Sequence, residues 1–208
     1  MRDRLRAIAG AGPGDSAHDL GHLDRVWANA QHIAEGTDRD RTVLMAAAYL
    51  HDIVALPKDH PDRAQASRRS AQAARPHLAA LGLTPAQIAA TCHAIAAHSF
   101  SAGIRPETDE ARILQDADRI DALGAVGLAR CFAVSGALGR PLFHPDDPFA
   151  EHRAPDDSRF ALDHFQTKLL RLPATMQTER GRALAEVRAG LLLRYLADLK
   201  AELPSSSG

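Results

Sequence analysis

Only two cysteines occur, Cys92 and Cys131, far apart and in no C-x-x-C pattern. Neither a disulfide framework nor a thiolate zinc site is therefore indicated, and both read as core residues. Aromatic residues make up 4% of the chain and β-branched runs are few, which disfavours strands. No internal repeat, no Gly-rich phosphate loop and no run of about 18 apolar residues is present. The N-terminal Met1-Arg-Asp-Arg-Leu-Arg-Ala-Ile-Ala-Gly10 lacks the apolar stretch of a signal peptide. These absences predict a soluble, cytoplasmic protein with no membrane partner. Charge of one sign is missing too: 25 Lys and Arg face 26 Asp and Glu, for a net charge of -1. That balance removes any bulk drive toward polymeric nucleic acid or anionic membrane, whereas a small anionic substrate needs only a local cation cluster.

What is there is alanine, leucine and histidine. At 208 residues with 45% hydrophobic content, the chain can bury one good core. It reads as a single all-α domain over 1–203, with a core over about 16–124, C-terminal helices over about 125–203 and a disordered tail at 204–208. Eleven histidines are many for this length, and imidazole is the commonest nitrogen ligand for divalent metals.

The stretch Ala48-Tyr-Leu-His51-Asp52-Ile53 puts two ionisable side chains at the end of a run too apolar to expose. Burying them unpaired costs several kcal/mol, roughly, so they need a partner, and a cation is one. Local capping by Asp52 with a satisfied core His51 is the other reading. The helix before them starts near Asp40, and Val43, Leu44, Ala47, Ala48 and His51 share its inner face. Pro57 ends it.

An earlier helix, capped by Asp15 or Ser16 and running to about Glu35, buries Leu20, Leu23, Trp27, Ala30 and Ala34. His18 and His22 share one of its faces, and spacing does not choose between them. After the polar loop Lys58-Asp-His60-Pro61 comes a helix over about 62–81, ended by Gly82, with a break or kink at Pro76. Thr84-Pro85 starts the next, carrying Ile88, Cys92, His93, Ile95 and His98. His93 and His98 face one site only if that helix ends or bends near His98.

A helix over about 108–123 buries Ile113, Leu114, Ala117 and Ile120, with Asp118 and Asp121 on one face and Asp116 turned away. Three aspartates on so apolar a helix repel one another without a cation. A small-residue helix over 125–135 follows. The stretch 139–157, rich in Pro, Asp and His, reads as a loop, either a lid or a surface excursion. Two more helices are expected. One carries Phe160, Leu162, Phe165, Leu169 and Leu170. The other, over about 178–202, buries Leu184, Val187, Leu191, Leu192, Tyr195 and Leu199.

The series His22-Leu-Asp-Arg25-Val26, His51-Asp52 and Gln115-Asp116-Ala-Asp118-Arg119-Ile-Asp121 resembles the HD-domain superfamily of metal-dependent phosphohydrolases. The likeness runs from about 16 to 200 and includes Cys92-His-Ala-Ile-Ala-Ala-His98-Ser and Asp163-His-Phe-Gln-Thr-Lys168-Leu-Leu. It is nearest to small stand-alone bacterial HD proteins, some of them similar to nucleotide pyrophosphatases. The x-x-Arg-Val that follows the family's ligand histidine selects His22, and the Ala-Asp-Arg segment selects Asp118. The implied metal ligands are His22, His51, Asp52 and Asp118.

Two histidines and two carboxylates suit one divalent ion, Mn²⁺ favoured among Mn²⁺, Mg²⁺, Fe²⁺, Co²⁺, Ni²⁺ and Zn²⁺. Such an ion leaves room for water and a phosphate oxygen. The expected reaction is hydrolysis of a nucleotide, most simply a (d)NTP to the (d)NMP and pyrophosphate, by a metal-activated water. Lys58, Arg63 and Lys168 are the expected phosphate-binding cations. Some HD phosphohydrolases carry an acidic residue one turn after His-Asp. Here Ile53-Val-Ala-Leu56 stands there, leaving His93, His98 and Asp121, besides Asp52, as catalytic candidates. A two-metal phosphodiesterase or oxygenase, with Asp52 bridging and His60, His93 or His98 completing a second site, is an alternative. A non-catalytic nucleotide or metal sensor is another. Homodimerisation is left open.

Overall fold

The structure, a computed structural model, describes residues 1–11, 20–54, 56, 62–99 and 102–203. It is all-α, with no strand among the described residues. Two compact units divide the chain, Met1–Asp118 and Arg119–Gly208.

In the first unit α3 (Arg41–Leu50) packs against α1 (Arg2–Gly10), α2 (Leu20–Ile33), α4 (Ala66–Ala80) and α5 (Pro85–His98). A helix touched on so many sides must be apolar all round. Accordingly Val43, Leu44 and Ala46 through Leu50 are all buried. Its start is chemically defined. Asp40 Oδ1 accepts from the Thr42 and Val43 amides at 2.9 and 3.1 Å, and its other oxygen accepts from Gln87 on α5 at 2.9 Å.

Gly82 ends α4 at φ 84°, while the Gly82 and Leu83 amides return to Ala79 O and Leu78 O at 3.0 and 3.2 Å. That paired return over a left-handed residue is the Schellman arrangement. Pro76 lies inside α4, which a short 3₁₀ turn, Arg63–Gln65, precedes. The Thr84 hydroxyl and the Gln87 side chain form a reciprocal capping box at the start of α5, with Pro85 in the first turn. One network had no sequence signal. Tyr49 OH donates to Asp24 Oδ1 at 2.7 Å, and Arg2 and Arg6 close on the same carboxylate, tying α1, α2 and α3 together.

Helix α6 (Asp109–Ile120) carries the division between the units, and α7 (Gly124–Ala137), α8 (Asp163–Thr167) and α9 (Glu179–Glu202) follow. Several expectations are corrected here. The helix expected to reach Leu123 ends at Ile120, so Asp121 lies beyond it and the face shared with Asp118 does not extend that far. The single helix expected over Phe160–Leu170 is the short α8 followed by a 3₁₀ segment, Leu169–Thr175, containing Pro173. On α9 the buried positions are Gly181, Ala185, Ala189 and Leu192, whereas Val187 is 73% exposed. Leu20, expected inside, is exposed. Phe132, Phe165 and Tyr195 supply an aromatic cluster with centroids 5.7 to 6.1 Å apart.

The 139–157 stretch contains no helix, and it is tethered at both ends. The Ala161 and Leu162 amides donate to Pro141 O and Leu142 O, while Arg153 donates through both terminal nitrogens to Asp163 at 2.5 and 2.7 Å. The helix-start expectations at Asp15 and Ser16, and the tail at 204–208, lie outside the described residues. No single helix among those described is long and apolar enough to cross a membrane.

Candidate metal centre

Helices of the first unit deliver the site residues at or near their ends. His22 stands on the first turn of α2 and is 2% exposed. His51 follows the last residue of α3 and is fully buried, with Asp52 next to it. His98 is the last residue of α5, where the chain leaves the helix at an extended Ser99. Asp118 lies on the last turn of α6 with 28% of its side chain exposed. The C-termini of α3 and α5 both reach this point, and the partial negative charge of a helix C-terminus favours a cation there.

His51 Nε2 is the hub. It stands 3.3 Å from His22 Nε2, 3.8 Å from Asp118 Oδ1 and 3.6 Å from Asp52 Oδ2, while His22 Nε2 is 3.5 Å from Asp118 Oδ1. Two ring nitrogens cannot face each other at that distance with both lone pairs forward unless a proton or a cation lies between them. Donor atoms about 2.1 Å from a divalent ion stand about 3.0 Å apart at right angles and about 3.4 Å apart at the tetrahedral angle. The 3.3 Å separation falls within that range and those of 3.5 to 3.8 Å lie a few tenths of an ångström beyond it, so His22, His51 and Asp118 would draw in slightly to hold a divalent ion, with Asp52 approaching from the side of His51.

The tautomer of His51 is fixed in the useful sense. Nδ1 lies 2.9 Å from Ala48 O and donates to it, which leaves Nε2 as the lone pair facing the cluster. Burial, the largest influence, outweighs the neighbouring carboxylates and lowers its pKa to about 4, so the ring is neutral at physiological pH. His98 differs. Its Nδ1 is 2.7 Å from Ile95 O and its Nε2 is 3.5 Å from Asp52 Oδ1. Burial pulls its pKa down, but the hydrogen bond and charge of Asp52, with help from Asp118 and the Ile95 carbonyl, push it up to about 9. Without an ion, His98 therefore carries protons on both nitrogens. A cation on Asp52 weakens that pull.

Two ligand groupings result, His22–His51–Asp118 and His51–Asp52–His98, both containing His51. The other expected site residues are placed as follows. His93 belongs to neither grouping: its Nε2 accepts from the Glu107 amide at 2.9 Å. Asp116 is completely buried and also belongs to neither. Arg63 donates to Leu56 O at 2.5 Å, bracing the chain beyond the His-Asp pair. Asp121 lies in the second unit, buried and paired with Arg130 at 2.6 Å. Lys168 is exposed in the same unit, at the break between α8 and the 3₁₀ segment. Lys58, together with His18 and His60, lies outside the described residues.

Sequence reasoning missed two residues that bear on this centre. Asn29 donates from Nδ2 to Ala117 O at 3.1 Å, and Gln115 donates from Nε2 to Ala97 O at 2.8 Å, both from buried side chains. The available signal for Asn29 was a carboxamide seven residues after His22, within the apolar face of α2.

Comparison with known proteins gives a consistent result. The family model described as HD domain matches residues 19–123. The Bacillus subtilis protein YpgQ, itself uncharacterized, is 33% identical over 193 residues, which are 91% of this chain and 86% of that protein. Its crystal structure in complex with ADP superposes with a TM-score of 0.74 at 31% identity, covering 100% of both chains. An HD-superfamily hydrolase from Bacillus thuringiensis superposes with a TM-score of 0.73 at 29% identity, covering 97% of this chain and 93% of that one.

Proposed function

The chain belongs to the HD-domain family, and from that premise we propose that it is a metal-dependent nucleotide phosphohydrolase, converting a (deoxy)nucleoside triphosphate to the monophosphate and pyrophosphate. The observation that carries this is the convergence of His22, His51, Asp52 and Asp118, with His51 Nε2 3.3 to 3.8 Å from a donor atom of each of the other three. These four residues would hold one divalent ion, Mn²⁺ favoured. When bound, the ion polarises a phosphoryl group and acidifies water beside it. The nucleotide class is supported by the ADP found with YpgQ.

The residues of the chain divide the remaining work. His51 presents an unprotonated Nε2 because Nδ1–H is committed to Ala48 O. Asp52 uses one oxygen toward His51 and the other toward His98, so its carboxylate is oriented from both sides. His98 Nε2 faces Asp52 at 3.5 Å and is the candidate to pass a proton to the departing oxygen. Arg63, fixed by its bond to Leu56 O, keeps further donors for phosphate on the segment that follows the His-Asp pair.

The two-metal alternative has an observation of its own, the second grouping of His51, Asp52 and His98. His51 Nε2 has one lone pair to give, since Nδ1 is taken, so a second ion would be held by a bridging Asp52 and by His98 without His51. One ion is the simpler occupancy. The test is incubation of the Mn²⁺-loaded protein with a nucleoside triphosphate, assaying pyrophosphate and phosphate separately. Monophosphate with pyrophosphate is the expected product pair. Diphosphate with phosphate would refute the bond assignment, and tight binding without turnover across a panel of metals would favour a sensor.

A further inference from the structure

The metal-site helices are also joined to one another through their backbones. A helix leaves the last four carbonyls without intrahelical partners, and at these helix ends side chains supply them. On α5 the Ile95, Ala96 and Ala97 carbonyls accept from His98 Nδ1 at 2.7 Å, Ser67 Oγ at 3.0 Å and Gln115 Nε2 at 2.8 Å. On α6 the Ala117 carbonyl accepts from Asn29 Nδ2 at 3.1 Å. The two carboxamides form a series. Asn29, on the helix of His22, holds the carbonyl immediately before Asp118. Gln115, on the helix of Asp118, holds the carbonyl immediately before His98.

Gln115 has a further property. Its Oε1 is buried and finds no hydrogen-bond partner among the described residues. An unpaired buried acceptor is destabilising, so a side chain chosen for stability alone would not keep one. The amide is better accounted for by what its other end does.

We propose that Asn29 and Gln115 are positioning residues of the metal centre. By fixing the peptide groups before Asp118 and His98 they set the spacing of α2, α6 and α5, and with it the affinity for the ion. This rests on the metal-binding reading of the cluster. Asp118 is itself a ligand of the proposed ion, and His98 acts on it through the ligand Asp52, 3.5 Å away; loss of an outer-shell partner of a metal ligand typically costs about 10- to 100-fold in affinity.

The test uses Gln115→Met and Asn29→Leu, which keep volume and remove the donor. Gln115→Met removes the orphaned oxygen but leaves the Ala97 carbonyl unpaired in its place, a net loss of one hydrogen bond worth about 1 kcal/mol, so its metal-free melting temperature should fall by only about 2–4 °C. Mn²⁺ affinity by titration calorimetry should fall about tenfold or more in each variant, and the visible absorption of the Co²⁺-loaded form should change in position or intensity. Gln115→Asn, a shorter amide, should recover little of the affinity. Parental Mn²⁺ affinity and an unchanged Co²⁺ spectrum in both variants would overturn the proposal while leaving the metal reading intact. So would affinity losses that merely track a lowered metal-free melting temperature. Failure of the parent protein to bind Mn²⁺ or Co²⁺ would instead overturn the metal reading itself, and this proposal with it.

Discussion

Replacing Asp163 by alanine should destabilise the protein by about 3 kcal/mol. The carboxylate is 1% exposed and accepts three short hydrogen bonds, from Arg153 Nη1 at 2.5 Å, Arg153 Nη2 at 2.7 Å and the Asp156 amide at 2.6 Å. Removing one member of a buried ion pair costs about 3–5 kcal/mol, because the other charge is left without compensation. Here the penalty falls at the low end. Arg153 keeps 20% of its side chain in solvent, lies over the Phe160 ring at 5.0 Å and retains a bond from Nε to Asp147 O, so it is not stranded. For a chain of this length about 3 kcal/mol corresponds to roughly 6–12 °C in melting temperature. Urea unfolding followed by far-ultraviolet circular dichroism measures it, with Arg153→Ala and the double variant completing a thermodynamic cycle. The double variant should cost clearly less than the sum of the singles. A loss below about 1 kcal/mol for Asp163→Ala, or additive singles, would refute the argument that this pair fastens the irregular stretch.

The remaining predictions concern the metal centre and one helix cap. Mn²⁺ at about 100 times its Kd should stabilise the parent protein by about 2.7 kcal/mol, a rise of roughly 5–11 °C that chelation reverses. Asp52→Ala should lose both this rise and the ion, so full occupancy in that variant by elemental analysis would sink the ligand assignment. Asp118→Asn should abolish metal-dependent turnover, while Asp116→Asn, altering a buried side chain in neither grouping, should retain the ion; a greater loss of metal at Asp116 would show the wrong helix face was chosen. Asp40→Ala should cost about 1–2 kcal/mol by removing the acceptor of the Thr42 and Val43 amides. Burial raises the Asp40 pKa, but the bonds from Gln87 and these amides outweigh it and hold the carboxyl below the usual range. Its contribution is therefore present above the ordinary aspartate pKa of about 3.9 and fades as pH falls through the depressed native value, so the variant and parent should converge in stability under acid.

Local chemistry determined much of this protein from the sequence alone. Asp40, Thr84-Pro85 and Gly82 act through hydrogen bonds within a few residues of themselves, so the helix boundaries they mark are legible without a fold. The all-α class follows from the same kind of information, as does the apolar run ending in His51-Asp52, whose length and composition require an interior position. Motif spacing pointed to His22, Asp52 and Asp118 through resemblance, though periodicity alone left His18 and His22 equivalent.

Tertiary packing decided the rest, because a periodic pattern defines a face only until a neighbour selects it. On α9 the larger side chains suggested a stripe through Val187, yet the buried positions are Gly181, Ala185, Ala189 and Leu192, and three of these four are small. Asp121 left the face of Asp118 because α6 stops at Ile120. His98 rather than His93 met Asp52 because α5 ends at that residue, and a helix end is a position in space as well as in sequence. The bonds from Asn29 to Ala117 and from Gln115 to Ala97 span 88 and 18 residues, and their acceptors are backbone carbonyls identical in every residue type. No side-chain pattern can announce such an acceptor; only the packing of one helix against another shows which carbonyl is left to be held.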